Sequence, residues 1–156
     1  MKPNNVTRLL DAHRIAYTAF ELPVEKLGAL EAATHLNVDP ELVYKTIVIT
    51  RPGKGKPVLA VVPGFHEVDL KAVARIVGEK KVHLPTEREA EALTGLKAGG
   101  ISPLALIQRG FQVILDASVL THDEIYISGG QRGLNIRLAP QALAGLTGAK
   151  IAPIST

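Results

Sequence analysis

Residues 41–64 constrain the fold more than any other stretch. ELVYKTIVIT and PVLAVVPG are strand-length runs rich in Val and Ile, joined by RPGKGK, a loop of Gly, Pro and Lys. Two such runs around such a loop read as a β-hairpin. The first run holds a misfit. With period two, Val43, Lys45, Ile47 and Ile49 point one way, and Tyr44, Thr46, Val48 and Thr50 the other. Lys45 therefore falls on the aliphatic side, where an unpaired ammonium is costly. Either it lies near a strand end and snorkels to water, or it stands in a pocket, poised for an anionic or carbonyl group. Its place in mid-strand favours the pocket.

Around this hairpin the chain mixes helical and strand patterns. Helical spacing marks 6–15, with Asn5 as a candidate cap, and 27–38, ended by the Asp39-Pro40 turn. It also marks 68–77, closed by Gly78, and 86–95, opened by the capping box Thr86-Glu87-Arg88-Glu89. PQALAGL is a last helix with proline at its first position. IAYTAFEL, KKVHL, FQVILD, DEIYIS and LNIRLA read as further strands, and KIAPIS closes the chain. SGGQRG joins two of them as a second hairpin. Strands outnumber helices and the two are interspersed. That predicts one α+β domain over residues 1–156, with a mixed, strongly curved sheet and surrounding helices.

Composition narrows the classes. With 156 residues, 46% hydrophobic and 21% charged, the chain is an ordinary globular protein with room for one core. No apolar run approaches the roughly 18 residues of a membrane span, and the polar N-terminus MKPNNVTRLLDAHR is no secretory signal. These features read as cytoplasmic. The absence of cysteine removes disulfides, thiolate metal sites and a cysteine nucleophile. A net charge of +3 and a pI of about 9.3 permit an anionic partner without demanding one.

No G-x-S-x-G elbow, Walker loop or H-E-x-x-H motif is present. The five histidines are scattered, which argues against a metal site. Two glycine-rich turns remain. Gly99-Gly100-Ile101-Ser102-Pro103 follows a helix, and Ser128-Gly129-Gly130-Gln131-Arg132-Gly133 joins two strands. Backbone groups in such turns can hold a phosphate or a developing oxyanion; equally, both can be plain tight turns. Ser102 has no His or Lys near it in sequence, and Pro103 points to turn geometry instead of a nucleophile. Arg132 reads either as a fork of donors for a phosphate or as a solvated side chain.

Val43-Tyr44-Lys45-Thr46, the Gly99–Leu104 segment and the Ser128–Leu134 segment occur in the order and at the separations found in the YbaK family, which the chain resembles over nearly its whole length. Members are trans-editing aminoacyl-tRNA deacylases, related to the inserted editing domain of bacterial prolyl-tRNA synthetase. The resemblance implies a barrel-like mixed sheet and cleavage of the ester joining a wrong amino acid to a tRNA 3′ end. The expected substrate is cysteine mischarged on proline tRNA. The resemblance also implies no metal, no cofactor and no protein nucleophile, because the substrate's own thiol attacks its carbonyl carbon. Lys45 then matches the pocket lysine that engages the terminal phosphate or the aminoacyl end. Gly99, Gly100, Ile101 and Ser102 match the loop lining the reacting ester, and Tyr44 and Thr46 flank the lysine. Ser128, Gly129 and Gly130 would shape the far wall.

Two positions depart from the pattern. Phe20 stands where close members carry tyrosine, and Asn135 where some carry aspartate, so the pocket is more neutral. Both bear on which amino acid is preferred. Thr46 leans toward the cysteine-specific branch. Lys54, Lys56, Lys80, Lys81 and Arg132 are candidate phosphate contacts for the acceptor end, with a prolyl-tRNA synthetase as a partner in tRNA selection. Three alternatives stand beside this reading. One is a catalytically idle module that binds a tRNA end or nucleotide. Another is a deacylase for another small amino acid, such as alanine. The third is a plain nucleic-acid-binding domain, which the three Tyr, three Phe and absent Trp do not favour.

Overall fold

The computed structural model describes residues 2–53 and 55–156; Lys54, one of the candidate phosphate contacts, lies outside them. Local sequence sets most element boundaries. Helix α1 (Asn5–Ala12) is capped by Asn4, one residue before the expected Asn5: Asn4 Oδ1 accepts from the Thr7 amide at 2.9 Å, and the Asn4 amide donates to Thr7 Oγ1. It stops short of Ile15 because Arg14 adopts a left-handed φ of 57°. Helix α2 (Ala29–Leu36) ends at Asn37, left-handed at φ 55°, before the Asp39-Pro40 turn is reached. Helix α3 (Leu70–Val77) is capped by Asp69 and closed by Gly78. Helix α4 (Glu87–Thr94) carries the Thr86/Glu89 capping box, and α5 (Pro140–Thr147) opens on its proline.

The strands are β1 (Tyr17–Glu21), β2 (Tyr44–Ile49), β3 (Val58–Pro63), β4 (Gln112–Asp116), β5 (Ile125–Ser128), β6 (Leu134–Leu138) and β7 (Lys150–Ala152). KKVHL forms no strand. Only His83 pairs, with Thr50 just past the end of β2, and of its neighbours Lys80 and Lys81 are exposed while Val82 is buried.

The strands form two sheets. One has the order β1-β6-β5 and is antiparallel; the other runs β2-β3-β4-β7. Both expected hairpins are present, β2–β3 with Lys45 opposite Val62 and β5–β6 with Ser128 opposite Asn135. β3, β4 and β7 are parallel to one another, so the second sheet is mixed. Among the described residues a bridge between Val43 and Tyr126 links the two sheets, which curl around a shared apolar core into an α+β fold. No helix among the described residues is long and apolar enough to cross a membrane.

Three apolar clusters hold these layers. The largest packs Leu59, Leu115, Ile127, Ile136 and Leu143 between the sheets, beneath α1 and α5. A second places α3 on the outer face of β2-β3-β4, around Ile49, Val62, Val73 and Ile114. A third gathers Ala32 and Ala33 of α2 with Val43 and Tyr126 at the seam. Val43 thus belongs to the third cluster, whereas Ile47 and Ile49 belong to the second. The aliphatic face of β2 is divided between two cores, and Lys45 stands at the division.

Candidate active site

A cleft of about 400 Å³ opens at that division. β2 supplies one wall with Tyr44, Lys45, Thr46 and Ile47, together with Val43 just before it. The β5–β6 hairpin supplies Ser128, Leu134 and Asn135, and the loop after α4 supplies Ala98, Gly99 and Ile101. The mouth is bounded by a strap between β1 and α2, through Leu22, Glu25, Lys26, Leu27 and Gly28.

Lys45 is half-buried and has no hydrogen-bond or ion-pair partner among the described residues. Its charge is therefore free to meet an incoming group in a partly desolvated site, where charge acts more strongly than in water. Across the cleft, Gly99 and Ile101 give their N–H groups to no described residue, while the Gly100 amide is spent on Lys97 O at 2.8 Å. Two free donors on one wall are what a developing oxyanion needs. Asn135 is 7% exposed, and its Oδ1 is buried without a partner, so a polar acceptor waits at the base of the cleft.

Of the residues singled out from sequence, Lys45, Tyr44, Thr46, Gly99, Ile101, Ser128 and Asn135 share the cleft wall. The side chain of Tyr44 turns into the main core, where its hydroxyl shares a 2.7 Å hydrogen bond with Ser118 Oγ. Burial pushes that hydroxyl's pKa up. Others lie behind the wall. Ser102 is fully buried, and its Oγ accepts from the Leu104 amide at 3.2 Å, capping a short 3-10 turn. Phe20, on β1 opposite Asn135, packs 5.7 Å from the Tyr126 ring and lies under the Arg137 guanidinium at 5.4 Å. Gly129 and Gly130 face α1: Asn4 Nδ2 donates to Gly129 O at 2.9 Å, and a side chain at 130 would meet Val6.

Gly100 and Arg132 also lie behind the wall, in contact with each other. A Cβ at Gly100 would sit 2.9 Å from the backbone of Gln131 and Arg132, so only glycine permits this approach. Arg132 Nε donates to Ala98 O at 2.6 Å. Lys56, Lys80 and Lys81 are exposed at the other end of the β2–β3 hairpin. At about 3.3 Å per residue, the five positions from Lys45 to Thr50 put them some ~16 Å from the cleft lysine.

Residues 25–146 match the model of the aminoacyl-tRNA editing domain. The chain belongs to the aminoacyl-tRNA editing domain family. Among its relatives is a protein of Enterococcus faecalis named as a candidate Cys-tRNA(Pro)/Cys-tRNA(Cys) deacylase, EbsC. It is 35% identical over 154 residues, covering 97% of this chain and 93% of that protein. Solved structures share the fold. One described as a candidate trans-editing enzyme for prolyl tRNA synthetase superposes with a TM-score of 0.79 at 26% identity, over 100% of this chain and 99% of the other. The hypothetical protein APE2540 superposes with a TM-score of 0.89 at 24% identity, over 98% of this chain and 100% of the other.

The editing-domain model begins within the strap, whose middle residues 23–26 carry no sequence assignment, between a strand expected to end at Leu22 and a helix expected to begin at Leu27. LPVEKLG has neither helical nor strand periodicity. The strap is placed by contacts from elsewhere: Leu22 N donates to Gly133 O at 2.9 Å, and Lys26 forms an ion pair with Glu87 at the start of α4. Among the described residues no three His, Asp or Glu side chains are grouped as metal ligands.

Proposed function

We propose that this chain is an aminoacyl-tRNA deacylase acting in trans, whose cleft takes the charged terminal adenosine of a cysteinyl-tRNA, proline tRNA first. One observation carries the assignment to this cleft: its lining brings together Lys45, which has no partner among the described residues, and Gly99 and Ile101, whose N–H groups are given to no described residue. Membership of the editing-domain family supports the reaction class, and the name of the Enterococcus relative supports cysteine.

The chemistry then follows from what the cleft lacks as much as from what it holds. Its wall carries no His, and Ser102 is buried and engaged in a turn. The substrate's thiol is the nucleophile. Its sulfur bonds to the carbonyl carbon, the ester C–O bond breaks, the proton ends on the 3′ oxygen, and the amino acid leaves as a cyclic thioester. Thiol and carbonyl share one molecule, so holding a single rotamer replaces a bimolecular encounter. Lys45 engages the terminal phosphate or the aminoacyl end, and the Gly99 and Ile101 amides receive the developing oxyanion. Asn135 offers an acceptor to the amino acid's polar end. The lysines at the far end of the β2–β3 hairpin meet the acceptor stem, and a prolyl-tRNA synthetase supplies the tRNA.

A deacylation time course with Cys-, Ala- and Ser-charged proline tRNA tests this, with Lys45→Ala in parallel. Loss of cysteine alone, dependent on Lys45, is the expected result. Cleavage of alanine or serine would rule out thiol assistance, because neither carries a thiol. No cleavage of any of the three would sink the deacylase reading.

A further inference from the structure

The two glycine-rich turns are packed on each other, and Arg132 joins them. Arg132 Nε donates to Ala98 O at 2.6 Å. That oxygen belongs to the same peptide unit as the Gly99 N–H. No cis bond occurs among the described residues, and a trans peptide holds its C=O and N–H on opposite sides of the chain. Whatever fixes Ala98 O therefore fixes the direction of the Gly99 N–H, turned away from Arg132. This N–H has no partner among the described residues, and Gly99 lies on the cleft wall while Arg132 lies behind it.

The residue type makes such a fixing necessary. Rotating the 98–99 peptide by half a turn changes chiefly ψ of Ala98 and φ of Gly99. Gly99 sits at φ +88° and, as glycine, accepts φ of either sign, so local sterics do not oppose the rotation. The bond from Arg132 does. Being charge-assisted, it also polarises the peptide and strengthens the N–H on the other side as a donor.

We propose that Arg132 is a positioning residue for deacylation, locking the Ala98–Gly99 peptide so that the Gly99 N–H faces the substrate's carbonyl oxygen. The inference rests on the deacylase reading and replaces the phosphate contact that the sequence suggested for Arg132.

The test compares Arg132→Ala and Arg132→Lys with the native protein on Cys-charged proline tRNA. R132A lowers kcat by about 100-fold, the lower end of the scale for losing one oxyanion donor. KM for tRNA and its salt dependence stay unchanged, and R132K, which keeps a donor, recovers part of the loss. In ¹⁵N-labelled R132A the Gly99 amide resonance broadens or doubles while core amides such as Ile127 do not move. A raised KM with a shallower salt dependence and native kcat would make Arg132 a phosphate contact and overturn the proposal. So would a native kcat, or an undisturbed Gly99 resonance. Should R132A fail to fold, R132Q takes its place with the same readouts. If the native protein cleaves no charged tRNA, the deacylase reading falls by itself, and the Gly99 resonance still decides whether Arg132 holds the peptide.

Discussion

At the scale of single residues, the division of the β2 face between two cores explains how Lys45 is tolerated. Its ammonium reaches the cleft instead of lying within a closed apolar cluster. Replacing an unpartnered, half-buried cation with an apolar chain of similar length removes a desolvation cost. Lys45→Met should therefore abolish deacylation, by at least ~100-fold, while its melting temperature equals or exceeds the native value. A large drop in melting temperature would mean that Lys45 is a structural residue. Gly100 gives the opposite pattern. Gly100→Ala forces a Cβ against backbone that cannot give way, and should cost about 1–3 kcal/mol in denaturant unfolding as well as activity. Lys45 was legible in the sequence because a strand's period exposes a misfit. Arg132 was not. Its partner, Ala98, lies 34 residues away, and an arginine between glycines reads the same whether it holds a loop or waits for a phosphate.

Elements are held together by a few polar ties that can be tested one at a time. Asp116 ends β4 and is 4% exposed. Burial alone would push its carboxyl up, but hydrogen bonds from Ser118, Ile154 and Ser155 more than offset this and hold its pKa below the usual carboxylate range. A pKa lower in the folded than in the unfolded chain stabilises the fold above the unfolded value, near 4, and that contribution is lost as pH falls through the folded value. Native stability should thus fall on acidification below about pH 4, measured by urea unfolding. Asp116→Ala should cost about 2–4 kcal/mol at pH 7 and flatten that acid limb. Equal acid sensitivity in both proteins would show that another group is responsible. For α4 the tie is its capping box; Thr86→Ala should cost about 1 kcal/mol, read as a shift in the urea midpoint with unchanged slope. Such caps, hairpins and helical stripes were legible because each is written within a few neighbouring residues. KKVHL misled because its short length and Val resemble a strand, yet only His83 finds a partner.

At the scale of the whole molecule, the parallel order β3-β4-β7 and the strap over the cleft were not legible, since both are fixed by contacts between distant segments. The same distances separate two roles on the surface. In the proposed reading the cleft receives the charged end, and the lysines beyond β2 meet the stem. Lys56→Glu, Lys80→Glu and Lys81→Glu together should raise KM for full-length charged tRNA and reduce its salt dependence, while cleavage of a short charged CCA end stays native. An equal loss on both substrates would put these lysines in the cleft's own chemistry.

The meeting of the two sheets has one more consequence. The sheets contribute opposite walls, so neither half contains a working site, and the main apolar core lies between them. Parting the sheets would expose that core to water, so it costs about as much as unfolding. Catalytic competence is then a gauge of how the halves are docked: in denaturant, turnover and the circular dichroism of the sheets should be lost in one transition.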